Sequence, residues 1–268
     1  MKQFLFLLSL SVALYAAKVQ VVSVPSPCMD RSFQTTVVLP EGYDRTDQRY
    51  PAIYLLHGFG GNHQVWPRVA PIDSFADEFG IIFVCPEGKN SWYINSPADT
   101  SVRFETFITS ELIAFIDSRY RTHANAGMRA IVGASMGGHG AITLLARHQD
   151  LYCGAGSISG IMDLTEFPEE WQLPLVFGEY RTHQTVWREH SAMHLVPLLI
   201  HKEKALRFDC GNKDFALNGN RKIHARMNEL GIRHDYIEGK GSHDARFVRR
   251  VARDHILFFA KRFSEGSR

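Results

Sequence analysis

The stretch Gly133-Ala134-Ser135-Met136-Gly137 decides how this chain of 268 residues is expected to fold. An apolar run, residues 128–132, precedes it, and a helix-like run, residues 139–147, follows it. A serine inside a Gly-x-Ser-x-Gly turn between a strand and a helix is the pattern of a nucleophile elbow. Small flanking residues permit a turn so tight that the serine backbone is strained and its hydroxyl projects above the sheet. The pattern therefore predicts that Ser135 is a nucleophile at the carboxyl end of a strand.

The rest of the chain reads as alternating strands and helices. Short apolar runs predict strands at 18–24, 32–39, 52–56, 81–85, 128–132, 154–159, 205–208 and 234–237. Runs with apolar residues at helical spacing predict helices at 69–78, 104–120, 139–147, 216–230 and 245–262. Repeated βα units indicate an α/β fold with a mostly parallel sheet flanked by helices. Active-site groups should then collect at the carboxyl ends of the strands.

Length and composition indicate the number of domains and the class of partner. A length of 268 residues and a hydrophobic content of 45% allow one substantial core, so residues 18–268 are predicted to form a single domain. Within it, residues 162–199 show no strong strand pattern and many aromatic side chains, which favours an insertion that caps the active site. The formal net charge of +2, with no basic run, argues against a nucleic-acid partner.

Residues 1–17 are typical of a secretory signal. Lys2 supplies a short basic region, an apolar run follows it, and Tyr15-Ala16-Ala17 offers a small-residue cleavage zone. The apolar run is too short for a stable membrane anchor. We therefore expect an exported protein, periplasmic or secreted.

The four cysteines leave two interpretations open. An even number in an exported protein permits disulfides, with three possible full pairings. Three of the four sit in or beside apolar strand-like runs, where a buried free thiol is at least as probable as a disulfide. The cysteines are Cys28, Cys85, Cys153 and Cys210.

The loop His57-Gly58-Phe59-Gly60-Gly61 follows the predicted strand at 52–56. Acyl transfer needs two backbone N–H donors aimed at the developing oxyanion, and such a glycine-rich loop can supply one. The residue after the nucleophile supplies the other. We therefore predict that the N–H groups of Phe59 and Met136 form the oxyanion hole.

The acid and the base must follow later strands. Asp209 and Asp214 both come after the strand at 205–208, and either could instead be a turn or helix-capping residue. Asp209 is close enough to the strand to be engaged in orienting the loop, so Asp214 is the favoured acid. His243 lies in a glycine-rich loop between the last strand and the last helix and is the favoured base. The chain order Ser, Asp, His matches that of α/β-hydrolases.

A pair of histidines is a candidate for metal binding. His190 and His194 are four residues apart, a spacing that can bind metal on a helix, but no third ligand accompanies them at a known spacing. The sequence predicts no metal and no organic cofactor.

Several motifs together resemble the esterase D-type family of α/β-hydrolases. The resemblance covers residues 21–263 and is carried by Leu55-Leu56-His57-Gly58, Ser91-Trp92-Tyr93, the run from Arg129 to Ala141, Asp209-x-Gly-x-x-Asp214 and Gly241-Ser242-His243-Asp244. That family groups S-formylglutathione hydrolases, tributyrin-type esterases, feruloyl and acetyl-xylan esterases, and secreted mycolyltransferases. The resemblance implies a triad of Ser135, Asp214 and His243, with Phe59 and Met136 as oxyanion donors.

The resemblance implies a serine carboxylic-ester hydrolase acting on small-molecule or oligosaccharide esters, including acylated plant polysaccharide fragments. Alternatives are an acyltransferase of the mycolyltransferase type and an S-formylglutathione hydrolase-like thioesterase. A scaffold protein without activity would lack a triad member, whereas all three are present. The short insertion favours short or compact aromatic acyl groups. Aromatic side chains predicted to contact the substrate are Trp92, Tyr93, Trp171 and Phe177.

Overall fold

A computed structural model describes residues 17–266 of the protein. In this range the strands form one eight-stranded sheet in the order β1-β2-β4-β3-β5-β6-β7-β8. The strands are β1 (Lys18–Ser26), β2 (Arg31–Leu39), β3 (Ala52–Leu56), β4 (Ile82–Pro86), β5 (Arg129–Ala134), β6 (Gly154–Ile158), β7 (Ala205–Gly211) and β8 (Asp235–Gly239). β1, β2 and β4 pair antiparallel, whereas β4, β3, β5, β6, β7 and β8 pair parallel. The predicted α/β fold with a mostly parallel sheet is confirmed.

Helices cover both faces of this sheet. They are α1 (Val65–Val69), α2 (Ile72–Phe79), α3 (Phe104–Thr106), α4 (Ile113–Arg119), α5 (Met136–Arg147), α6 (Leu173–Phe177), α7 (Tyr180–His190), α8 (Ala192–Leu195), α9 (Leu217–Glu229) and α10 (Ala245–Gly266). A π-helical segment, Phe107–Leu112, joins α3 to α4. Short 3₁₀ turns span Pro27–Met29, Tyr43–Arg45, Ala126–Met128, Leu164–Glu166 and Val196–Leu199.

The central strands are buried on both faces. Every residue of β3 and of β4 is buried, as expected for parallel strands covered by helices on each side. One core lies against α1, α2 and α10, and a larger one lies on the other face against α4, α5 and the segment between β6 and β7. The sheet is therefore a rigid support whose carboxyl edge can carry loops precisely.

Two helix predictions differ from the structure. The single helix expected at 69–78 is two helices, α1 and α2, which are separated at Ala70 and Pro71. Proline disfavours helical geometry in the residue before it, which ends α1 there. The helix expected at 139–147 begins earlier, at Met136, directly after the elbow serine.

The segment between β6 and β7 is helical and packs on the sheet domain. It contains α6, α7 and α8, and its side chains Leu173 and Trp187 have no exposed surface. The predicted role of residues 162–199 as a cap on the active site stays a prediction. The predicted signal, residues 1–17, lies outside the described residues apart from Ala17.

All four cysteines are free thiols in the structure. Cys85, Cys153 and Cys210 are buried, and burial raises the pKa of Cys153 to about 11 and that of Cys210 to about 12. These three cysteines therefore behave as small apolar core residues. None of the helices in residues 17–266 is long and apolar enough to cross a membrane.

Candidate active site

Ser135 occupies a sharp turn between β5 and α5. Its backbone has φ 57° and ψ −120°, a conformation that non-glycine residues rarely adopt. The turn brings α5 so close to its surroundings that a Cβ on Gly133 would lie 2.1 Å from the Gly137 carbonyl oxygen. A Cβ on Gly137 would lie 2.3 Å from the Leu56 carbonyl oxygen. The glycines are therefore required by close backbone approach, as the sequence pattern predicts.

The three predicted triad side chains meet at the carboxyl edge of the sheet. The Ser135 hydroxyl donates to His243 Nε2 at 2.8 Å. His243 Nδ1–H donates to Asp214, at 2.9 Å from Oδ1 and 3.1 Å from Oδ2. Since Asp214 accepts the Nδ1 proton, Nε2 is free to accept the proton of Ser135. This hydrogen-bond chain has the connectivity that a serine nucleophile requires.

Asp214 is held as a carboxylate. Burial opposes ionisation, but the hydrogen bonds from His243 and the Ala216 N–H outweigh it and keep the pKa of Asp214 below its ordinary value. The Ala216 N–H bond to Oδ1 is 2.8 Å long. Asp214 therefore carries a negative charge beside His243, where a positive charge would develop during catalysis.

Asp209, the alternative acid, contacts Arg207 and His255. It is buried within β7, where Arg207 Nε donates to Oδ2 at 2.8 Å and His255 Nε2 lies 2.9 Å from the same oxygen. Burial alone would raise the pKa of Asp209, but His255 and Arg207 lower it below its ordinary value. Asp209 links β7 to α10, and the sequence preference for Asp214 agrees with this geometry.

The loop that begins at His57 lies over the serine. A Cβ on Gly58 would lie 3.3 Å from Ser135 Cβ and 3.9 Å from Ser135 Oγ. No hydrogen-bond acceptor for the Phe59 N–H is found among residues 17–266. Met136 is the first residue of α5, so its N–H has no acceptor within the helix. The structure thus leaves both predicted donors unpaired beside Ser135.

Neighbouring groups fix the position of this loop. His57 is buried; its Nδ1–H donates to the Gly58 carbonyl at 2.8 Å, and its Nε2 accepts the Gly88 N–H at 2.9 Å. The Tyr93 hydroxyl donates to the His57 carbonyl at 2.9 Å. Further along, the Gly60 N–H donates to Asn90 Oδ1 at 2.8 Å. These hydrogen bonds therefore hold the loop in place beside Ser135.

A cleft of about 350 Å³ opens at Ser135 and His243. Two of the four aromatic residues predicted to contact the substrate, Trp92 and Trp171, line it. The prediction is wrong for Tyr93, which is fully buried behind the His57 loop. It is also wrong for Phe177, which is fully buried against Trp187 at a ring distance of 5.5 Å.

Sequence reasoning missed part of the cleft wall. Side chains from α1, the loop before α9 and α10 also line it; they are Val65, Trp66, Val69, Phe215 and Val248. Phe215 directly follows Asp214, so a search of the residues flanking each candidate could have found it. Helix α1 carried no functional motif.

His190 and His194 lie outside the cleft. His190 is half-buried beside Phe177, with its Nδ1 2.8 Å from the Val186 carbonyl oxygen. In the part of the chain that the structure describes, no group of three or more His, Cys, Asp and Glu side chains could hold a metal ion.

The parallel sheet, the serine turn and the Ser–His–Asp contacts define the chain as an α/β-hydrolase. Residues 26–256 match the protein family described as Putative esterase, and the chain belongs to that family. The resemblance seen in the sequence is thereby confirmed.

Relatives bear esterase and acyltransferase names. Esterase Rv1288 of Mycobacterium tuberculosis is 28% identical over 235 residues, covering 77% of this chain but 51% of that protein. The chain thus spans about half the length of that relative. Diacylglycerol acyltransferase/mycolyltransferase Ag85A of Mycobacterium gordonae is 27% identical over 255 residues, covering 85% of this chain and 73% of that protein.

Solved structures share the fold. A ferulic acid esterase superposes with a TM-score of 0.78 and 24% identity, covering 93% of this chain and 99% of the other. At that identity the likeness is evidence for the α/β-hydrolase fold alone.

Proposed function

We propose that the protein is a serine esterase that hydrolyses carboxylic esters through an acyl-enzyme. The observation that carries this proposal is the hydrogen-bond chain from Asp214 through His243 to Ser135 beneath two unpaired N–H groups. Membership of the Putative esterase family supports the same activity.

The geometry leads to a mechanism in two halves. His243 Nε2, 2.8 Å from Ser135 Oγ, removes the hydroxyl proton as Oγ attacks the ester carbonyl. Asp214 holds the imidazole tautomer and stabilises the imidazolium that forms. His243 then returns the proton to the leaving alcohol, and water releases the acyl group from Ser135 by the same route.

The N–H groups of Phe59 and Met136 stabilise the oxyanion of each tetrahedral intermediate. Removing one such donor costs about 3–4 kcal/mol of transition-state stabilisation in comparable hydrolases. The bonds that hold His57 and Gly60 keep the loop in place before substrate arrives, so no reorganisation is needed during the reaction.

The cleft favours short acyl groups, acetyl to butyryl, or a compact aromatic acyl group. A volume of about 350 Å³ lies at the lower end of the range for small-molecule pockets and leaves little room for a long chain. Esters of plant polysaccharide fragments fit this description. The test is a series of acetyl, butyryl, octanoyl and palmitoyl esters of one alcohol. We expect kcat/KM to fall beyond butyryl, and a value that keeps rising to palmitoyl contradicts the proposal.

Transfer to an alcohol acceptor is the second candidate function, favoured by the relative Ag85A. The same acyl-enzyme would pass its acyl group to a sugar or lipid hydroxyl instead of water. Product analysis with and without an acceptor alcohol distinguishes hydrolysis from acyl transfer. We expect the free acid to be the main product under both conditions.

Export to the periplasm or medium is part of the proposal and is supported by the sequence of residues 1–17. Expression of the full chain followed by cell fractionation tests it. Activity retained in the cytoplasm with an uncleaved N-terminus contradicts it.

A further inference from the structure

A cavity of about 800 Å³ lies at the edge of the sheet opposite to the catalytic centre. Its walls are the segment before β7, the loop between α9 and β8, and the last turns of α10. Because β5, β6, β7 and β8 pair in parallel, the amino ends of β7 and β8 lie at the edge away from Ser135. The cavity is therefore separate from the catalytic cleft, and none of the described residues lines both.

Basic side chains outnumber acidic ones in the lining of this cavity. Among the residues that the structure describes, the lining holds five Lys and Arg residues and three Asp and Glu residues, which are Lys202, Lys204, Arg233, Lys261 and Arg262 against Glu203, Asp235 and Glu265. Five positive minus three negative charges leave +2, which equals the formal net charge of the full chain. The basic residues come from three separate segments of the sequence, so it is the fold that brings them to one cavity.

Three of these cations, one on each wall, have no partner. Arg262 Nη1 lies 3.7 Å from Glu265 Oε2 and is thus paired. Lys202 before β7, Arg233 before β8 and Lys261 in α10 are all exposed, and none of the three has an ion pair or side-chain hydrogen bond with any residue in the range 17–266. Like charges that face one cavity repel each other, and an anion bound between them removes that repulsion.

Lys204 adds a cation that the backbone holds in position. Its half-buried ammonium group donates to the carbonyl oxygen of Gln149 and, at 2.9 Å, to that of Tyr152. An ammonium group has three N–H donors, so one is left without a partner among the described residues. Burial lowers the pKa of Lys204, and the like charges of Arg262 and Lys202 act in the same direction. An anion in the cavity can accept the remaining N–H and stabilises the charged form of Lys204.

We propose that this cavity is a binding site for a small organic anion that carries two or more negative groups, either carboxylate or phosphate. Lys and Arg side chains form charge-assisted hydrogen bonds with both groups. Cations on three walls can contact separate negative groups of one molecule, which an anion with a single charge cannot use. The volume of about 800 Å³ is within the range of small-molecule sites, so such a ligand is enclosed by the walls.

The test is isothermal titration calorimetry of the wild-type protein with citrate, which offers carboxylates, and with pyrophosphate, which offers phosphates. We expect saturable binding of one molecule per chain and a Tm that rises with the concentration of the bound anion. Binding of either probe supports the proposal, and the tighter one identifies the negative group. Acetate, which has one negative charge, is compared at the same ionic strength to measure the effect of charge screening alone.

Variants locate the bound anion. Arg233→Gln and Lys261→Gln should each raise the Kd about fivefold, the upper end of what one exposed ion pair contributes. Arg233→Lys keeps the charge and should recover most of the affinity. Arg249→Gln, which changes an exposed arginine of α10 outside the cavity, is the matched control and should leave the Kd unchanged. Turnover of p-nitrophenyl acetate should be the same in all four variants, since the cavity lies at the edge of the sheet away from Ser135.

Three results would overturn the proposal. Equal increases in Tm with acetate and with citrate at the same ionic strength would show charge screening alone. An equal loss of affinity in Arg249→Gln and Arg233→Gln would show that the anion does not bind in this cavity. Binding to vesicles of an anionic phospholipid, with no binding of citrate or pyrophosphate, would replace the small anion by a membrane surface. None of these results bears on the esterase function, which hydrolysis of p-nitrophenyl acetate by the wild type tests separately.

Discussion

Replacing Asp214 by Asn changes one atom and should remove most of the activity. The Asp214 side chain has no exposed surface, and both of its oxygens lie within 3.1 Å of His243 Nδ1. An Asn in this place can turn its NH₂ group towards Nδ1, which then becomes the acceptor. The imidazole proton moves to Nε2, where it faces Ser135 Oγ and prevents His243 from acting as the base.

The expected loss in kcat is about four orders of magnitude, as in the template triad, which equals about 5.5 kcal/mol of transition-state stabilisation. The assay is p-nitrophenyl acetate hydrolysis, with circular dichroism to show that the fold is retained. Asp209→Asn is the matched control. It removes the charge facing Arg207 and His255, so it should lower the free energy of unfolding by about 3 kcal/mol. Its kcat should stay within a few-fold of wild type, and the reverse pattern of kinetic losses would refute the assignment of the acid.

Three further predictions concern the elbow, the oxyanion loop and pH. Gly137→Ala should abolish soluble expression or lower Tm sharply, since its Cβ would lie 2.3 Å from a backbone oxygen. Gly219→Ala in α9, with its nearest contact at 3.5 Å, should instead raise stability by about 0.5–1 kcal/mol; equal Tm values for the two variants would contradict this reasoning. Asn90→Ala removes the hydrogen bond to the Gly60 N–H and should lower kcat about fivefold, which corresponds to one hydrogen bond of about 1 kcal/mol. An unchanged kcat would show that this bond does not help to position the oxyanion hole. Because the pKa of Asp214 is lower in the folded protein, its ionised carboxylate stabilises the fold fully above the ordinary carboxyl pKa of about 3.9, and this stabilisation is lost as the pH falls through the folded-state pKa. The difference in Tm between wild type and Asp214→Asn should therefore shrink in acid. A Tm difference that grows in acid would contradict this prediction.

Much of the site could be predicted because its signals are local. Gly133 and Gly137 are needed for close backbone approach, and that requirement leaves glycines in the sequence at a fixed spacing from Ser135. His243 and Asp214 follow strands, and parallel strands bring their carboxyl ends to one edge of the sheet. Spacing and chain order were therefore sufficient to bring the three residues together.

The cleft walls could not be predicted in the same way. Trp92 and Tyr93 are neighbours, and both have positive φ, 57° and 59°, without a glycine to signal the turn. This turn places Trp92 in the cleft wall, where it is almost fully buried, and Tyr93 under the His57 loop. Whether an aromatic side chain packs inward, as Phe177 does, or stands exposed, as Phe215 does, depends on tertiary contacts that residue type alone does not encode.

The most direct test of the account is to find the residue that reacts as the nucleophile. Wild-type protein is treated with a fluorophosphonate, its intact mass is measured, and the modified peptide is sequenced. We predict one adduct per chain on Ser135, with simultaneous loss of ester hydrolysis, and neither adduct nor activity in a folded Ser135→Ala variant. An adduct on another residue, or hydrolysis that persists in Ser135→Ala, would contradict the central claim.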